Sequence, residues 1–115
     1  MTFRKINKVY FVGIGGIGMS GIAELLLNLG FQVSGSDMNE NDNVIRLKNL
    51  GIDVKIGHDP ANLSNTDVLV YSSAVPPENP EIIKARQKGI PVIRRAEMLG
   101  ELISVKETSI AVGGT

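Results

Sequence analysis

Four glycines fall within six residues near the start of the chain, in the run Gly13-Ile14-Gly15-Gly16-Ile17-Gly18. This GxGxxG pattern follows an apolar run and precedes an amphipathic stretch, the context in which such a loop binds the diphosphate of a nucleotide. We expect Gly13 to permit a tight turn, Gly15 to let the backbone approach a diphosphate, and Gly18 to let helix and strand pack closely. The N–H groups and partial positive charge at the start of the following helix would hold the anion without Lys or Arg. The alternative is a turn that only closes a strand–helix unit, which is disfavoured because four glycines cost chain entropy.

An acidic residue follows this loop at the spacing typical of nucleotide-binding folds. Asp37 lies 19 residues after Gly18, at the end of a predicted second strand. Nucleotide-binding folds have a carboxylate there that accepts hydrogen bonds from ribose hydroxyls. In the alternative, Asp37 belongs with Ser36, Asn39 and Glu40 to a run that caps a turn or the next helix. From these residues alone, NAD and a UDP-sugar fit equally well.

Short apolar runs alternate with longer amphipathic ones along the chain, which indicates strands and helices of a mainly parallel sheet. Residues 9–12 form a continuous apolar run, typical of a strand covered on both faces. The pattern predicts strands at 9–12, 31–35, 53–56, 68–71, 90–93 and 108–112, and helices at 17–29, 42–50, 78–88 and 96–103. We therefore expect an α/β fold that is Rossmann-like and doubly wound, with helices on both faces of the sheet.

Composition limits the kind of partner that the chain binds. Lys and Arg number 12 and Asp and Glu number 12, so no net field exists to gather nucleic acid or an anionic membrane. The absence of Cys excludes thiolate nucleophiles and zinc–thiolate sites and fits a cytoplasmic protein. No apolar run approaches the roughly 20 residues of a membrane-spanning helix. We expect a single soluble domain over residues 1–115, without an internal boundary.

Longer blocks of sequence around these motifs resemble the first domain of the Mur ligases. The resemblance is to the group of these ligases that joins L-alanine to UDP-N-acetylmuramate. The blocks agree with that domain in sequence, order and spacing, and together they cover essentially the whole chain. They are residues 12–23 (VGIGGIGMSGIA), Gly35-Ser36-Asp37, residues 71–75 (YSSAV), Asn79-Pro80-Glu81 and residues 90–99 (IPVIRRAEML). The YSSAV and RRAEML blocks have no role in dehydrogenase patterns, which makes the resemblance more specific than a lone GxGxxG.

The resemblance implies a ligase of peptidoglycan precursor synthesis. In that family ATP phosphorylates the lactyl carboxylate of UDP-N-acetylmuramate, and the amine of L-alanine attacks the acyl phosphate. The first domain holds the UDP-sugar, a central P-loop domain holds ATP and Mg²⁺, and a third domain helps to bind the amino acid. Residues 110–115 resemble the approach to the family's Gly-Thr-x-Gly-Lys-Thr loop, so Gly114 and Thr115 would begin the ATP site. Because the Lys of that loop is absent, we expect residues 1–115 to bind substrate without turnover and to hold no cofactor.

The resemblance also implies which residues contact the substrate. Asp37 is assigned to the uridine, and Ser72, Ser73 and Ala74 are assigned to the rim of the nucleotide or sugar site. The residues assigned to the diphosphate are Gly13, Gly15, Gly16, Ile17, Gly18, Met19 and Ser20. The hydroxyls of Ser72 and Ser73 could instead cap a turn. Arg94 could contact a phosphate, with a solvated Arg94–Arg95 pair as the alternative. His58 has no nucleophile or ligand cluster beside it in the sequence, so no catalytic or metal-binding residue is assigned. His58 is predicted at the surface, with a position near the uracil as the alternative.

Three other interpretations stay open at this point. A stand-alone NAD-binding module would use the same glycine loop and Asp37, but it leaves the Gly-Gly-Thr of residues 113–115 unexplained. A regulatory or structural α/β domain is disfavoured by the glycine-rich turn and by the lack of an evident apolar stripe. The related ligase that attaches a recycled tripeptide to the same UDP-sugar would share this domain's substrate. The amino-acid sequence of residues 13–19 favours the alanine-adding enzyme.

Overall fold

The computed structural model describes residues 7–63 and 65–94. In chain order its elements are β1 (Lys8–Val12), α1 (Ile17–Asn28), β2 (Gln32–Asp37), α2 (Asp42–Asn49), β3 (Asp53–Ile56), a 3₁₀ turn (Pro60–Asn62), β4 (Val68–Tyr71), α3 (Pro80–Gln87) and β5 (Val92–Ile93). The helix predicted at 96–103 and the strand predicted at 108–112 lie outside these residues, as do Gly114 and Thr115. None of the helices in the described part of the chain is long and apolar enough to cross a membrane.

The described strands form one parallel sheet in the order β3-β2-β1-β4-β5. At the carboxyl end of the central strand β1, Val12 pairs with Ser36 of β2 on one side and with Tyr71 of β4 on the other. The chain therefore builds outward from β1 through β2 to β3 and then changes direction to form β4 and β5. Open α/β sheets bind ligands outside the carboxyl ends of the strands at such a reversal. The carboxyl edge between β1 and β4 is the position that this topology favours for a ligand.

Two apolar cores lie on opposite faces of this sheet, which confirms the predicted α/β fold with helices on both faces. Alternate residues of a strand point to opposite faces. In β1, Val9 and Phe11 belong to the core formed with α1 and α2, while Tyr10 and Val12 belong to the core formed with α3. This coverage on both sides explains why β1 is a continuous apolar run.

Strand β2 runs further than predicted, to Asp37 rather than to residue 35. The extension pairs Ser36 with Val12 and Asp37 with Ile56. Because successive side chains alternate, the Ser36 hydroxyl lies on the α3 side of the sheet and the Asp37 carboxylate on the side of α1 and α2. The carboxyl end of β2 thus supplies one polar side chain to each face.

Helix α3 begins at Pro80, later than the predicted residue 78, because Asn79 caps it. The Asn79 side chain accepts a hydrogen bond from the backbone N–H of Glu81 at 2.8 Å, and Pro80 suits the first helical position because it lacks an N–H. Glu81 is thereby held in the first turn of α3, where the partial positive charge of the helix favours a carboxylate. The start of α3 consequently directs an acidic side chain into the core.

A 3₁₀ turn that the sequence pattern did not predict follows β3 at Pro60–Asn62. The Asp59 carboxylate caps it by accepting a hydrogen bond from the backbone N–H of Ala61 at 2.9 Å. The turn packs against α3. It therefore carries the segment from His58 to Asn62 to the face of the sheet where Glu81 lies.

Candidate functional site

The glycine loop between β1 and α1 is bound to the end of β2 by backbone hydrogen bonds. The N–H groups of Gly13 and Ile14 both donate to the carbonyl of Ser36, at 2.9 and 3.0 Å, and the N–H of Gly16 donates back to Gly13 at 3.1 Å. Gly13 has a φ of 80°, a left-handed conformation that glycine adopts readily. The predicted tight turn at Gly13 is therefore confirmed.

The neighbouring side chains of the fold leave no room for a side chain at position 15. The N–H of Gly15 donates to the Asp37 carboxylate at 2.8 Å. A Cβ at this position would lie 2.7 Å from Val44 Cγ2 and 2.9 Å from both Asn41 Oδ1 and Asp37 Oδ2. We expected glycine here because it would let the backbone approach a diphosphate. The described contacts give a different reason: the absence of a side chain makes room for α2 and Asp37.

Gly18 does not have the packing role that its place in the motif predicts. It is exposed, and apart from its chain neighbours and the nearby backbone of α1, no atom of the described residues lies within 4 Å of where its Cβ would be. The residue that allows close approach is Gly35 in β2, whose Cβ would lie 2.4 Å from the carbonyl oxygen of Phe11 and 2.8 Å from Ile14 Cδ1. The prediction for Gly18 was wrong because Gly18 lies on the exposed side of α1, away from the sheet.

The amino end of α1 has three backbone N–H groups without an acceptor among the described residues. They belong to Ile17, Gly18 and Met19, and the next one, that of Ser20, donates to Gly16 at 2.9 Å. The cap residue Gly16 offers no side-chain acceptor, and the first turn contains no acidic residue. A helix start with free N–H groups and partial positive charge is suited to binding an anion.

Side chains at this helix start divide into exposed and buried ones. Ile17 is 93% exposed, whereas Met19 and Ser20 are buried. Met19 packs into the core with α1 and α2. The Ser20 hydroxyl donates to the carbonyl of Ile17 at 3.4 Å and is directed along the helix. A diphosphate contact from the Ser20 hydroxyl stays a prediction, and the backbone N–H groups are the accessible donors.

Asp37 ends β2 at the carboxyl edge and binds two backbone groups. Its Oδ2 accepts from Gly15 N–H, and its Oδ1 accepts from Asn39 N–H at 3.1 Å. The contact with Asn39 shows that Asp37 caps a turn, as the alternative interpretation predicted. Each carboxylate oxygen can accept a further hydrogen bond, so contact with a ribose stays a prediction.

The turn after β4 packs against the glycine loop. The Ser72 hydroxyl accepts from the backbone N–H of Ala74 at 3.2 Å, which is the turn-capping role considered for it. A Cβ on Gly13 would lie 3.1 Å from Val75 Cγ2 and 3.5 Å from Ser72 Cβ. Ser73 and Ala74 are exposed. The fold thus brings the two predicted segments together at the reversal point of the sheet.

Arg94 is exposed directly after the edge strand β5. Its neighbour Ile93 pairs with Val70 of β4, so Arg94 lies at the carboxyl edge but is separated from β1 by β4. No hydrogen bond or ion pair within the described part of the chain joins it to the glycine loop. Its contact with a phosphate stays a prediction.

A buried carboxylate on the opposite face was missed by the sequence analysis. Glu81 is 0% exposed. Five donors or hydrogen-bonding atoms surround it: Tyr10 Oη at 2.5 Å, Ser36 Oγ at 2.5 Å, His58 Nδ1 at 3.1 Å, Asn62 Nδ2 at 3.1 Å and the Asp59 N–H at 3.3 Å. Burial and the hydrogen bond to Glu81 raise the pKa of Tyr10 well above its usual range, which keeps the phenol protonated as a donor.

His58 belongs to this cluster, and its predicted surface position was wrong. Its side chain is only 13% exposed. Its Nδ1 lies 2.8 Å from Ser36 Oγ and 3.1 Å from Glu81 Oε1. Glu81 had appeared in the sequence only within a block of family resemblance. The sequence signal that could have located Glu81 was the capped start of α3, because it directs the carboxylate of Glu81 inward.

Exposed apolar side chains border the carboxyl edge. Met38 follows Asp37, Ile56 ends β3, and Ile17 begins α1. All three are large hydrophobic residues with exposed side chains. They add exposed apolar side chains to the polar groups of the edge, a combination that suits a ligand with both a base and a diphosphate. Neither Met38 nor Ile56 was predicted as a site residue.

A family model and curated relatives match the chain. The family described as "Mur ligase family, catalytic domain" matches residues 8–107. The UDP-N-acetylmuramate–L-alanine ligase of Acidiphilium cryptum is 61% identical over 111 residues, covering 96% of this chain and 23% of the relative. The ligase of the same name from Aquifex aeolicus is 56% identical over 115 residues, covering 100% of this chain and 25% of the relative. The chain thus spans about a quarter of the length of these relatives.

Solved structures with the same fold include two ligases. The UDP-N-acetylmuramate-alanine ligase of Thermotoga maritima superposes with a TM-score of 0.79 at 35% identity, over 84% of this chain and 23% of that one. The UDP-N-acetylmuramate:L-alanyl-gamma-D-glutamyl-meso-diaminopimelate ligase of Neisseria meningitides superposes with a TM-score of 0.75 at 31% identity, over 84% of this chain and 31% of that one.

Proposed function

Because the chain belongs to the Mur ligase family, we propose that it is the domain that binds UDP-N-acetylmuramate in a ligase that adds L-alanine to this substrate. The observation that carries the proposal is the open amino end of α1, with its three free N–H groups at the reversal of the sheet. The choice of ligand is supported by the names of the curated relatives, which are UDP-N-acetylmuramate–L-alanine ligases.

The diphosphate suits the amino end of α1 for an electrostatic reason. The chain has no net charge, but helix N–H groups and the helix dipole bind an anion without charged side chains. Gly16 and Gly18 have no side chains that would cover the backbone of this turn. No acidic side chain in the turn competes for its N–H groups. We infer that the N–H groups of Ile17, Gly18 and Met19 donate to the diphosphate oxygens.

The two ends of the ligand would extend from the diphosphate in opposite directions along the carboxyl edge. On the β2 side, the Asp37 carboxylate has acceptor capacity left for a ribose hydroxyl, and exposed Met38 offers apolar surface to the base. On the β4 side, exposed Ser73 and Ala74 would border the sugar. Arg94, beyond them, remains a candidate phosphate contact.

In the complete ligase, the γ-phosphoryl group of ATP would pass to the lactyl carboxylate. The amine of L-alanine would then attack the acyl carbon, and phosphate would leave. Such transfer depends on a phosphate-loop lysine and Mg²⁺ to stabilise the developing charge. No group of three His, Cys, Asp or Glu side chains in residues 7–63 and 65–94 could hold a metal ion, and we assign ATP and Mg²⁺ to other parts of the ligase. This domain would bind and orient the UDP-sugar in the cytoplasm, with no nucleic acid or membrane partner.

A ligase that attaches a tripeptide to the same UDP-sugar is the second candidate. The similar structure from Neisseria meningitides carries the name of such an enzyme. Both ligases would use this domain for the same ligand, and the identities of the curated relatives favour the alanine-adding one. An assay of the complete ligase with L-alanine and with the tripeptide as acceptors separates them, because only the true acceptor supports phosphate release at a high rate.

Calorimetric titration of the 115-residue chain with UDP-N-acetylmuramate, UDP and NAD tests the proposed ligand. We expect UDP-N-acetylmuramate to bind more tightly than UDP, because the sugar adds contacts on the β4 side, and NAD to bind weakest. Tighter binding of NAD than of either uridine ligand would overturn the proposal in favour of a dinucleotide-binding module.

A further inference from the structure

The backbone carbonyl of Ser36 is the shared acceptor that holds the start of the glycine loop. It accepts the N–H groups of Gly13 and Ile14 at 2.9 and 3.0 Å. The loop then continues to the helix, because the N–H of Gly16 donates to Gly13 and the N–H of Ser20 donates to Gly16. Backbone hydrogen bonds thus lead without a break from the Ser36 carbonyl to the amino end of α1. The position of this carbonyl sets the position of the loop.

Ser36 lies where the ladder between β1 and β2 ends. It pairs with Val12, the last residue of β1, and with Lys55 of β3. Pairs at the end of a strand open more readily than those in its middle, because they have a neighbouring pair on one side only. A second attachment, through the side chain of Ser36, would therefore stabilise the carbonyl at the point where the ladder with β1 is weakest.

The Ser36 side chain has such an attachment on the α3 side of the sheet. Its hydroxyl donates to Glu81 Oε1 at 2.5 Å, and both residues are fully buried. The Asn79 side chain accepts the N–H of Glu81 at 2.8 Å. Tyr10 and Asn62 donate to Glu81 Oε2 at 2.5 and 3.1 Å. Since no solvent reaches these groups to replace a lost partner, the hydrogen bond from Ser36 is costly to break.

We propose that Glu81 is a positioning residue for the diphosphate site, because through Ser36 it holds the glycine loop from the opposite face of the sheet. The inference rests on the proposed function, since the ligand is taken to be a nucleoside diphosphate at the amino end of α1. No side-chain hydrogen bond of Glu81 within the described residues reaches the loop itself, so its influence passes through Ser36. Binding groups that shift by more than about half an ångström lose their productive geometry.

Two buried hydroxyls that bind Glu81 provide a matched comparison. Tyr10 and Ser36 each donate to one of its carboxylate oxygens at 2.5 Å. Tyr10→Phe and Ser36→Ala each remove one hydroxyl, and both should lower the stability of the chain, but only Ser36 holds the loop. We expect calorimetry to show that UDP binds about fivefold more weakly to Ser36→Ala. Tyr10→Phe should change the UDP affinity by less than about twofold.

The loop can be measured without any ligand, which separates its position from other effects of Ser36→Ala, such as the lost contact with His58 Nδ1. In the ¹³C,¹⁵N-labelled chain, NMR couplings across the hydrogen bonds from Gly13 and Ile14 to the Ser36 carbonyl report their geometry. Hydrogen exchange of the same amides reports how often they open. We expect Ser36→Ala to weaken both couplings and to speed exchange at both amides about fivefold more than in β4. Tyr10→Phe should leave the couplings unchanged.

A double-mutant cycle tests whether Glu81 acts through Ser36. In Glu81→Gln the donors around Oε2 hold the amide oxygen on their side, so the Ser36 hydroxyl meets an NH₂ group and loses its acceptor. We expect Glu81→Gln to weaken UDP binding in the unmodified background and to have no further effect in Ser36→Ala. The same loss in both backgrounds would mean that Glu81 acts independently of Ser36 and would refute the inference.

The unmodified chain gives an answer even where a substitution at residue 81 prevents folding. A buried hydroxyl bonded to Glu81 exchanges its hydrogen with water slowly, so the Ser36 hydroxyl proton should be visible by NMR. It should also show a nuclear Overhauser effect to the Glu81 side chain. A Ser36 hydroxyl proton lost to rapid exchange would overturn the inference.

The outcomes separate this inference from the proposed function. If UDP binds and Ser36→Ala loses no more affinity than Tyr10→Phe, the role of Glu81 is refuted while the uridine site stands. Weaker UDP binding to Ser36→Ala with unchanged couplings at Gly13 and Ile14 would also refute it. If NAD binds and UDP does not, the proposed function fails, and the role of Glu81 in binding a nucleoside diphosphate fails with it, whatever the couplings show.

Discussion

The carboxylate of Asp37 accepts a hydrogen bond from the backbone N–H of Gly15 at 2.8 Å. Together with the bonds from Gly13 and Ile14 to the carbonyl of Ser36, this contact attaches the glycine loop to the end of β2. The first N–H groups of the loop are therefore used to hold its shape, and the free ones begin only at Ile17. Structural and ligand-binding roles belong to different parts of the same motif.

Replacement of Ile17 by proline removes one free N–H at little structural cost. Proline is favoured at the first position of a helix, and Gly16 before it has φ −65° and ψ 156°, the extended conformation that a residue preceding proline adopts. We expect Ile17→Pro to fold normally and to bind UDP about tenfold more weakly, because a charge-assisted hydrogen bond to the diphosphate is lost. Ile17→Ala, which removes the side chain but keeps the N–H, is the control for calorimetry. Equal losses in the two variants would mean that the side chain, not the N–H, binds the ligand.

Alanine substitutions at two glycines of the loop should have opposite effects on stability. A Cβ at residue 15 would overlap Val44, Asn41 and Asp37, so Gly15→Ala should lower the free energy of unfolding by about 1–3 kcal/mol. A Cβ at residue 18 meets no described atom within 4 Å beyond its chain neighbours and the nearby backbone of its own helix. Gly18→Ala should therefore be neutral or raise stability by up to about 1 kcal/mol. Urea unfolding of both variants measures the difference. Similar midpoints for the two would contradict the packing assigned to Gly15.

Asp37 should contribute to both stability and nucleotide affinity. Asp37→Ala loses the hydrogen bonds from the N–H groups of Gly15 and Asn39, with an expected cost of about 1–3 kcal/mol. Asp37→Asn keeps one acceptor oxygen and should retain more of the stability. If Asp37 binds the ribose, Asp37→Ala should weaken UDP and UDP-N-acetylmuramate by the same factor, about tenfold. An effect on the sugar nucleotide alone, measured by parallel titrations, would refute the assignment of Asp37 to the uridine.

Tyr10 should make the chain less stable at alkaline pH. Burial and the hydrogen bond to Glu81 raise the pKa of Tyr10 in the folded state, so its contribution is complete below the unfolded pKa of about 10 and is lost as the pH rises above it. We expect the free energy of unfolding to fall above about pH 10. It should fall less in Tyr10→Phe, which lacks the ionisable hydroxyl and is about 1 kcal/mol less stable at neutral pH. Parallel curves for the two proteins from pH 9 to about 12 would show that Tyr10 does not titrate in this way.

Periodicity predicted the sheet well because burial on two faces leaves a strong pattern. The apolar run of β1 and the four-residue run of β4 were found with nearly their observed bounds. The end of β2 was missed because Ser36 and Asp37 are polar, and their place in the strand depends on pairing with β1 and β3. Local sequence does not contain that information.

The roles within the site were harder to predict than its location. A GxGxxG pattern predicts a loop and a helix start, but whether a given glycine faces a ligand or a neighbouring helix depends on tertiary contacts such as that of Gly15 with Val44. The cluster of Glu81, Ser36 and His58 joins residues distant in sequence. An isolated histidine in a loop has no local signal for such burial, which is why His58 was expected at the surface.

An NMR titration of the ¹⁵N-labelled chain with UDP-N-acetylmuramate, with NAD in parallel, tests most directly whether the amino end of α1 binds the diphosphate. We expect the amide signals of Ile17, Gly18 and Met19 to move most. Those of Gly13 to Gly16 should move less because these N–H groups are already bonded within the fold, and NAD should have little effect. Unchanged amides at Ile17 to Met19 with saturating UDP-N-acetylmuramate, or a response to NAD alone, would contradict this expectation.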